Sequence, residues 1–231
     1  MKIINLASLA LAVVAVFPAH ADLITFIGPA PVTKAAFLTA TAATSATTFP
    51  SDPVTGNDYP EFTDFTSGLL TFSPVTGGST RFFTLNASTR LPGNELLMSG
   101  TESFNVAIAN GPVFSFGWDF VEPEFDPQIS TEPFFDSTFT VTLLDGVTPV
   151  GSFPFNAPND TAAFVGVCTD VAFDHVEIRE TVGGVEDEFF GQFYSGNTLH
   201  VVPEPSSAAL LLCGAALLLR RRRFDPNERN G

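Results

Sequence analysis

The chain has 231 residues, 45% of them hydrophobic and 15% charged, which excludes wholesale disorder and is enough for one domain with a sizeable core. Ten basic residues against 25 acidic ones give a formal charge of −15, which repels phosphate backbones and excludes nucleic acid as a partner. Residues 22–202 hold only Lys34, Arg81, Arg90 and Arg179 against 22 Asp and Glu, so the remaining positive charge lies at the two ends, where it borders apolar runs.

At the N-terminus Lys2 precedes an apolar run from Ile3 to Phe17, broken only by Asn5 and Ser8 and closed by Pro18-Ala19-His20-Ala21. A basic start, an apolar core and small residues at its end form a secretory signal peptide over residues 1–21. The small side chains of Ala19 and Ala21 suit the narrow subsites of signal peptidase, which would leave Asp22 as the new N-terminus. The alternative is a buried first helix of the domain.

From residue 22 to residue 200 the dominant period is two. Phe114, Phe116, Trp118 and Phe120 alternate with Ser115, Gly117 and Asp119, and Phe139, Val141 and Leu143 alternate with Thr138, Thr140 and Thr142. Asp145-Gly146 then leads into residues 147–155, which predicts a hairpin. Further strands are expected at 23–27, 68–72, 81–85, 95–99, 103–109, 162–167, 171–179 and 188–194. The Thr- and Ala-rich stretch 39–48 and the Pro-containing stretch 49–59 read as loop or sheet edge. No helical stretch stands out. The pattern predicts an all-β ectodomain over 22–200, an antiparallel β-sandwich with the jelly roll as one way of connecting it.

Twenty-five phenylalanines suit the ~10 Å layer between two sheets. A sharper reading places exposed aromatics against sugar rings, with Trp118, Tyr59 and Tyr194 as candidates because their polar handles tolerate a wet surface. Asp119, Glu122, Glu124 and Asp126 form one acidic cluster, read as a loop after the aromatic strand, and Glu186, Asp187 and Glu188 form a second. Their oxygens suit Ca²⁺, although no Asp-x-Asp-x-Asp-Gly spacing is present and solvated surface acids are the plainer reading. Two of the first four carboxylates also fit the requirement of glycoside hydrolysis for a pair. After export only His175 and His200 remain, too few for a multi-histidine zinc site. His175 has no Gly-x-Ser-x-Gly elbow to serve and reads as solvent-facing beside Glu177 and Arg179. With Cys213 in the tail, Cys168 has no internal disulfide partner. It reads as a buried small hydrophobe, with pairing between molecules as the alternative.

At the C-terminus Pro203-Glu204-Pro205 is followed by 14 uncharged residues, 206–219, and then by Arg220, Arg221, Arg222 and Arg223. As a helix of about 21 Å the apolar segment falls short of the ~30 Å hydrocarbon core, so a transient membrane association is expected, with the arginines on the cytoplasmic side. An ordinary single-span anchor is the alternative. Residues 201–231 resemble the PEP-CTERM sorting domain of bacterial surface proteins, in motif, short Ala- and Leu-rich helix and basic stop. The resemblance implies that Pro203, Glu204 and Pro205 are recognised by exosortase, a membrane-embedded protease that removes the tail. It also implies a role in exopolysaccharide or biofilm, with this chain as substrate rather than enzyme. Within the middle, Phe116-Gly117-Trp118-Asp119-Phe120, the hairpin at Asp145-Gly146, the strand 163–167 and Asp187-Glu188-Phe189-Phe190 resemble β-sandwich modules related to carbohydrate-binding domains. The expected function is a non-enzymatic surface or matrix protein associated with extracellular polysaccharide. The rival is a secreted carbohydrate-binding or carbohydrate-active module using Trp118 or the acidic cluster.

Overall fold

Alternation of large apolar with small or polar residues makes these segments strands, because successive side chains of an extended chain point to opposite faces. A computed structural model describes residues 21–47, 57–58, 64–75, 81–85, 91, 95–99, 102–122, 136–183 and 188–199. In chain order they form β1 (Leu23–Pro29), α1 (Ala30–Thr41), β2 (Thr44–Ser45), β3 (Asn57–Asp58), β4 (Phe65–Ser67) and β5 (Leu70–Pro74). There follow β6 (Arg81–Leu85), β7 (Glu95–Ser99), β8 (Phe104–Ile108), β9 (Val113–Val121) and β10 (Thr138–Asp145). The last are β11 (Thr148–Phe155), β12 (Ala163–Phe173), β13 (His175–Val182) and β14 (Phe189–Gly196).

Among the described residues every strand pairing is antiparallel. One sheet runs β1-β12-β9-β14-β7-β6-β3, with β2 added to β14, and the other runs β11-β10-β13-β8-β5-β4. Within them β7-β14-β9-β12 faces β8-β13-β10-β11, the strand order of a jelly roll. The predicted hairpin is present, closing with Asp145 opposite Thr148 and Gly146 at a φ of 60°. Gly68 and Leu69, expected inside a strand, form the turn between β4 and β5. Segments 162–167 and 171–179 are not two separate strands as expected: β12 continues to Phe173, and Asp174 is the break before β13.

The aromatic face of β9 points between the sheets. Trp118 packs edge-on to Phe155 at 5.7 Å, Phe120 edge-on to Phe139 at 5.7 Å, and across the same gap Phe104 meets Phe190 and Phe72 meets Phe193, both at 5.1 Å. Such contacts add about 0.5–1.5 kcal/mol each to the burial of the rings themselves.

The expectation of no helix is corrected by α1. It opens with Pro31 in its first turn and ends where Ala42, at a left-handed φ of 51°, returns its N–H to Leu38 O at 3.0 Å. The helix lies on the outer face of the larger sheet, inserting Phe37 beside Phe26 and Phe164 at 5.5 and 5.1 Å. Gly117 and Gly166 face each other across β9 and β12 and give those rings their seat. A Cβ on Gly166 would stand 2.8 Å from the Phe164 ring and 2.9 Å from that of Phe37, and one on Gly117 would meet Phe164 at 2.8 Å.

Candidate functional site

Trp118 is fully buried between the sheets, so its expected role as a sugar platform is corrected: a stacking residue must offer a ring face to solvent, and both faces of this one are in the core. Tyr194 is half-buried under α1, and Tyr59 lies outside the described residues. Also outside them are Glu124, Asp126, Glu186 and Asp187, residues 1–20, and residues 200–231 with Pro203, Glu204, Pro205 and Arg220 to Arg223. Among the described residues no helix is long and apolar enough to cross a membrane.

The first acidic cluster is divided by the strand that carries it. Asp119 belongs to β9 rather than to a following loop, and it projects from the face opposite the aromatic row, under α1. There Lys34 Nζ reaches Asp119 Oδ2 at 2.7 Å and sits 4.6 Å from the centroid of the Tyr194 ring, while Tyr194 O–H donates to the same carboxylate oxygen at 3.4 Å. The exposures are unequal, 27% for the Lys34 side chain and 5% for that of Asp119. Burial therefore pushes the Asp119 carboxyl above its ordinary range despite the ammonium beside it. For Lys34 burial pulls downward, but the hydrogen bonds with Asp119 and Tyr194 outweigh it and the ammonium is held. This group ties the helix to the sheet.

Glu122, one residue past β9, is fully buried, not a surface acid. It belongs to a second constellation at the end of the sandwich where β8, β10 and β14 begin and β9 and β13 finish. Ser137 N–H donates to Glu122 Oε1 at 2.5 Å, Glu188 N–H to Glu102 Oε1 at 2.9 Å, and Glu102 N–H to Glu180 Oε2 at 3.0 Å. Val121 pairs with Phe189, so Glu122 and Glu188 follow on opposite sides of the ladder's end. Glu180 Oε1 and Ser137 Oγ both crowd Gly183, where they occupy the space a Cβ would take. Glu102, Glu122, Ser137 and Glu188 all have 0% exposure. Burial drives the Glu188 carboxyl from its ordinary 4.5 up to about 8. Of this set sequence reading had singled out Glu122 and Glu188, and it had missed Glu102, Ser137 and Glu180.

At the opposite end lies a cavity of about 260 Å³, bounded by the α1–β2 connection, the β8–β9 turn and the end of β14. Its polar lining comes from Thr44, Asn110, Ser195 and Asn197, and none of its lining side chains is charged. Asn110 and Gly111 turn the chain there with φ of 70° and 101°. Elsewhere, His175 Nδ1 lies 2.6 Å from Asp174 Oδ1, and that contact together with the Gly146 N–H at 2.8 Å holds the Asp174 carboxyl below its usual range. His175 is 46% exposed, in keeping with the solvent-facing reading. Cys168 is 1% exposed, and burial pushes its thiol up, so the buried-hydrophobe reading holds and another chain's thiol has no access to it.

These features define a two-sheet antiparallel β-sandwich of the all-β class, with one helix covering an outer face. No protein-family model and no curated protein matches the chain. Among solved structures it is similar to the enzymatically active domain of tailspike protein 4 from bacteriophage CBA120, at 12% identity and a TM-score of 0.36. That match covers 69% of this chain and only 22% of the tailspike chain. It is also similar to the C-terminal family 22 carbohydrate-binding module of Clostridium thermocellum Xyn10B, at 13% identity and a TM-score of 0.24, covering 55% and 93% of the two chains. A xylan-binding domain of the same module family gives 12% identity and a TM-score of 0.24, with 55% and 95% covered. These likenesses are remote, and the fold rests on the strand pairing itself.

Proposed function

We propose that this chain is an exported, non-catalytic component of the cell surface or extracellular matrix, sorted through its C-terminal signal and associated with exopolysaccharide. The observation that carries this reading is the order Pro203-Glu204-Pro205, uncharged segment 206–219, Arg220 to Arg223. Export is supported by the position of the first described strand. Strand β1 begins at Leu23, and the Asp22 nitrogen that cleavage would turn into an ammonium lies 3.0 Å from Asp170 Oδ1. A non-catalytic role is supported by the placement of Asp119 and Glu122, which are buried in structural contacts on different parts of the molecule instead of facing each other across a cleft. In a host with an exosortase, intact-mass spectrometry is expected to find a mature protein that starts at Asp22 and ends before residue 206. Recovery of exported material still reaching Gly231 would overturn the sorting reading.

A second reading, carbohydrate binding, is favoured by the end cavity. Uncharged hydroxyl and amide groups at Thr44, Asn110, Ser195 and Asn197 are the kind of lining that pairs with sugar hydroxyls without selecting for charge. Asn197→Ala and Thr44→Ala are expected to weaken binding to a glycan array by roughly tenfold each while leaving the melting temperature in place. Array binding that survives both changes would remove the cavity as the site.

A further inference from the structure

We infer that the buried glutamate end of the sandwich is a calcium site, with Glu102 and Glu188 as its carboxylate ligands and Ser137 Oγ as a further oxygen. Glu102 Oε2, Ser137 Oγ and both carboxylate oxygens of Glu188 are buried with no hydrogen-bond partner. Native proteins pair such atoms almost without exception, and an unpaired set gathered in one place points to a ligand there. The four oxygens come from segments preceding β8, β10 and β14, brought to one end by the jelly-roll winding, and the backbone contacts among Glu102, Glu122, Glu180 and Glu188 hold them together.

Charge points the same way. Glu180 and Glu122 add carboxylates to the circuit, whereas among the residues whose side chains are described the cations, Lys34 and Arg179, are committed elsewhere, to Asp119 and to Glu177, Phe104 O and Asn105. A dry acidic enclosure needs either protons or a metal ion. All the available atoms are oxygens, the donor set of a hard cation, and contributions from separate loops suit the flexible six- to eight-fold coordination of Ca²⁺ better than the rigid octahedron of Mg²⁺. Among the described residues no three acidic, imidazole or thiol side chains stand close enough to hold an ion as they are. The inferred site therefore rests on two carboxylates, Glu102 and Glu188, with Ser137 Oγ and water to complete the shell. The inference goes beyond the sorting and sugar-binding readings and does not depend on either.

The test is thermal unfolding of the purified mature protein near pH 7.5 in chelator, in calcium and in magnesium, each ion at about 5 mM. Calcium is expected to raise the melting temperature by roughly 5 °C or more over chelator, with a smaller rise in magnesium. Glu102→Gln and Glu188→Gln should remain folded in chelator and lose the calcium response, whereas Glu177→Gln, on the outer face of β13, should keep it. No calcium shift in the unmodified protein would overturn the inference. So would equal shifts with both ions, the mark of screening on an acidic surface, or a shift that persists in both Gln variants.

Discussion

Glu188→Gln is expected to raise the melting temperature by roughly 10 °C near pH 8 in chelator and to lower it by a few degrees near pH 4, where only the cost of the unpartnered amide remains. Burial lifts the folded-state carboxyl to about 8 from an ordinary 4.5, so between those values the native protein holds a proton that the unfolded chain has released. Stability from this group is fully present below the ordinary value, declines as the pH rises through the interval, and has been lost above the folded value. The span corresponds to roughly 5 kcal/mol, and Gln, which needs no proton to stay neutral, escapes most of that loss. The amide brings two donors that need partners, which costs about 1–3 kcal/mol and keeps the gain nearer 10 °C than 20 °C. Glu102, Glu122 and Glu180 belong to the same hydrogen-bonded end of the sandwich, so the informative quantity is the difference between the two melting curves across pH. Parallel curves would show that Glu188 is not the buried acid described.

The period-two pattern made most of the sandwich legible. It marked the aromatic face of β9 and the Thr-rich outer face of β10, and Asp145-Gly146 marked the hairpin, because alternation and turn chemistry are local properties. The same locality hid α1. It buries only Phe37 and Thr41, so it lacks the broad apolar stripe that announces a helix, and its Ala and Thr residues resemble the loop that follows; Pro31 in the first turn was the available signal. Gly117 and Gly166 carry no local mark of their role, and only the register that sets them opposite each other, beneath Phe37 and Phe164, gives the reason for them. The acidic site was the least legible part. Glu102 meets Glu180 and Glu188 across sequence separations of 78 and 86 residues, and the sheet winding that joins them has no local signature. Acids also read as surface by default, since nothing in a sequence shows that Glu102 has neighbours that seal it off.

Lys34→Met should lower the melting temperature by roughly 6–12 °C at neutral pH, the effect of about 3 kcal/mol in a domain of this size. The change removes the ammonium from an Asp119 side chain that is only 5% exposed and leaves the carboxylate with Tyr194 O–H at 3.4 Å. Breaking a buried pair costs about 3–5 kcal/mol, and the lower end applies because Lys34 keeps 27% of its side chain in water. The stranded carboxyl, already raised by burial, moves further up, so the single variant should recover stability as the pH falls and Asp119 takes a proton. Lys34→Met combined with Asp119→Asn removes both charges and should return most of the lost stability, because the Phe26, Phe37 and Phe164 packing beneath the helix is untouched. If the double variant melts as low as the single one, the helix is held by the lysine stem and not by charge pairing. If Lys34→Met alone melts like the unmodified protein, the apolar cluster seats α1 without help from the ion pair.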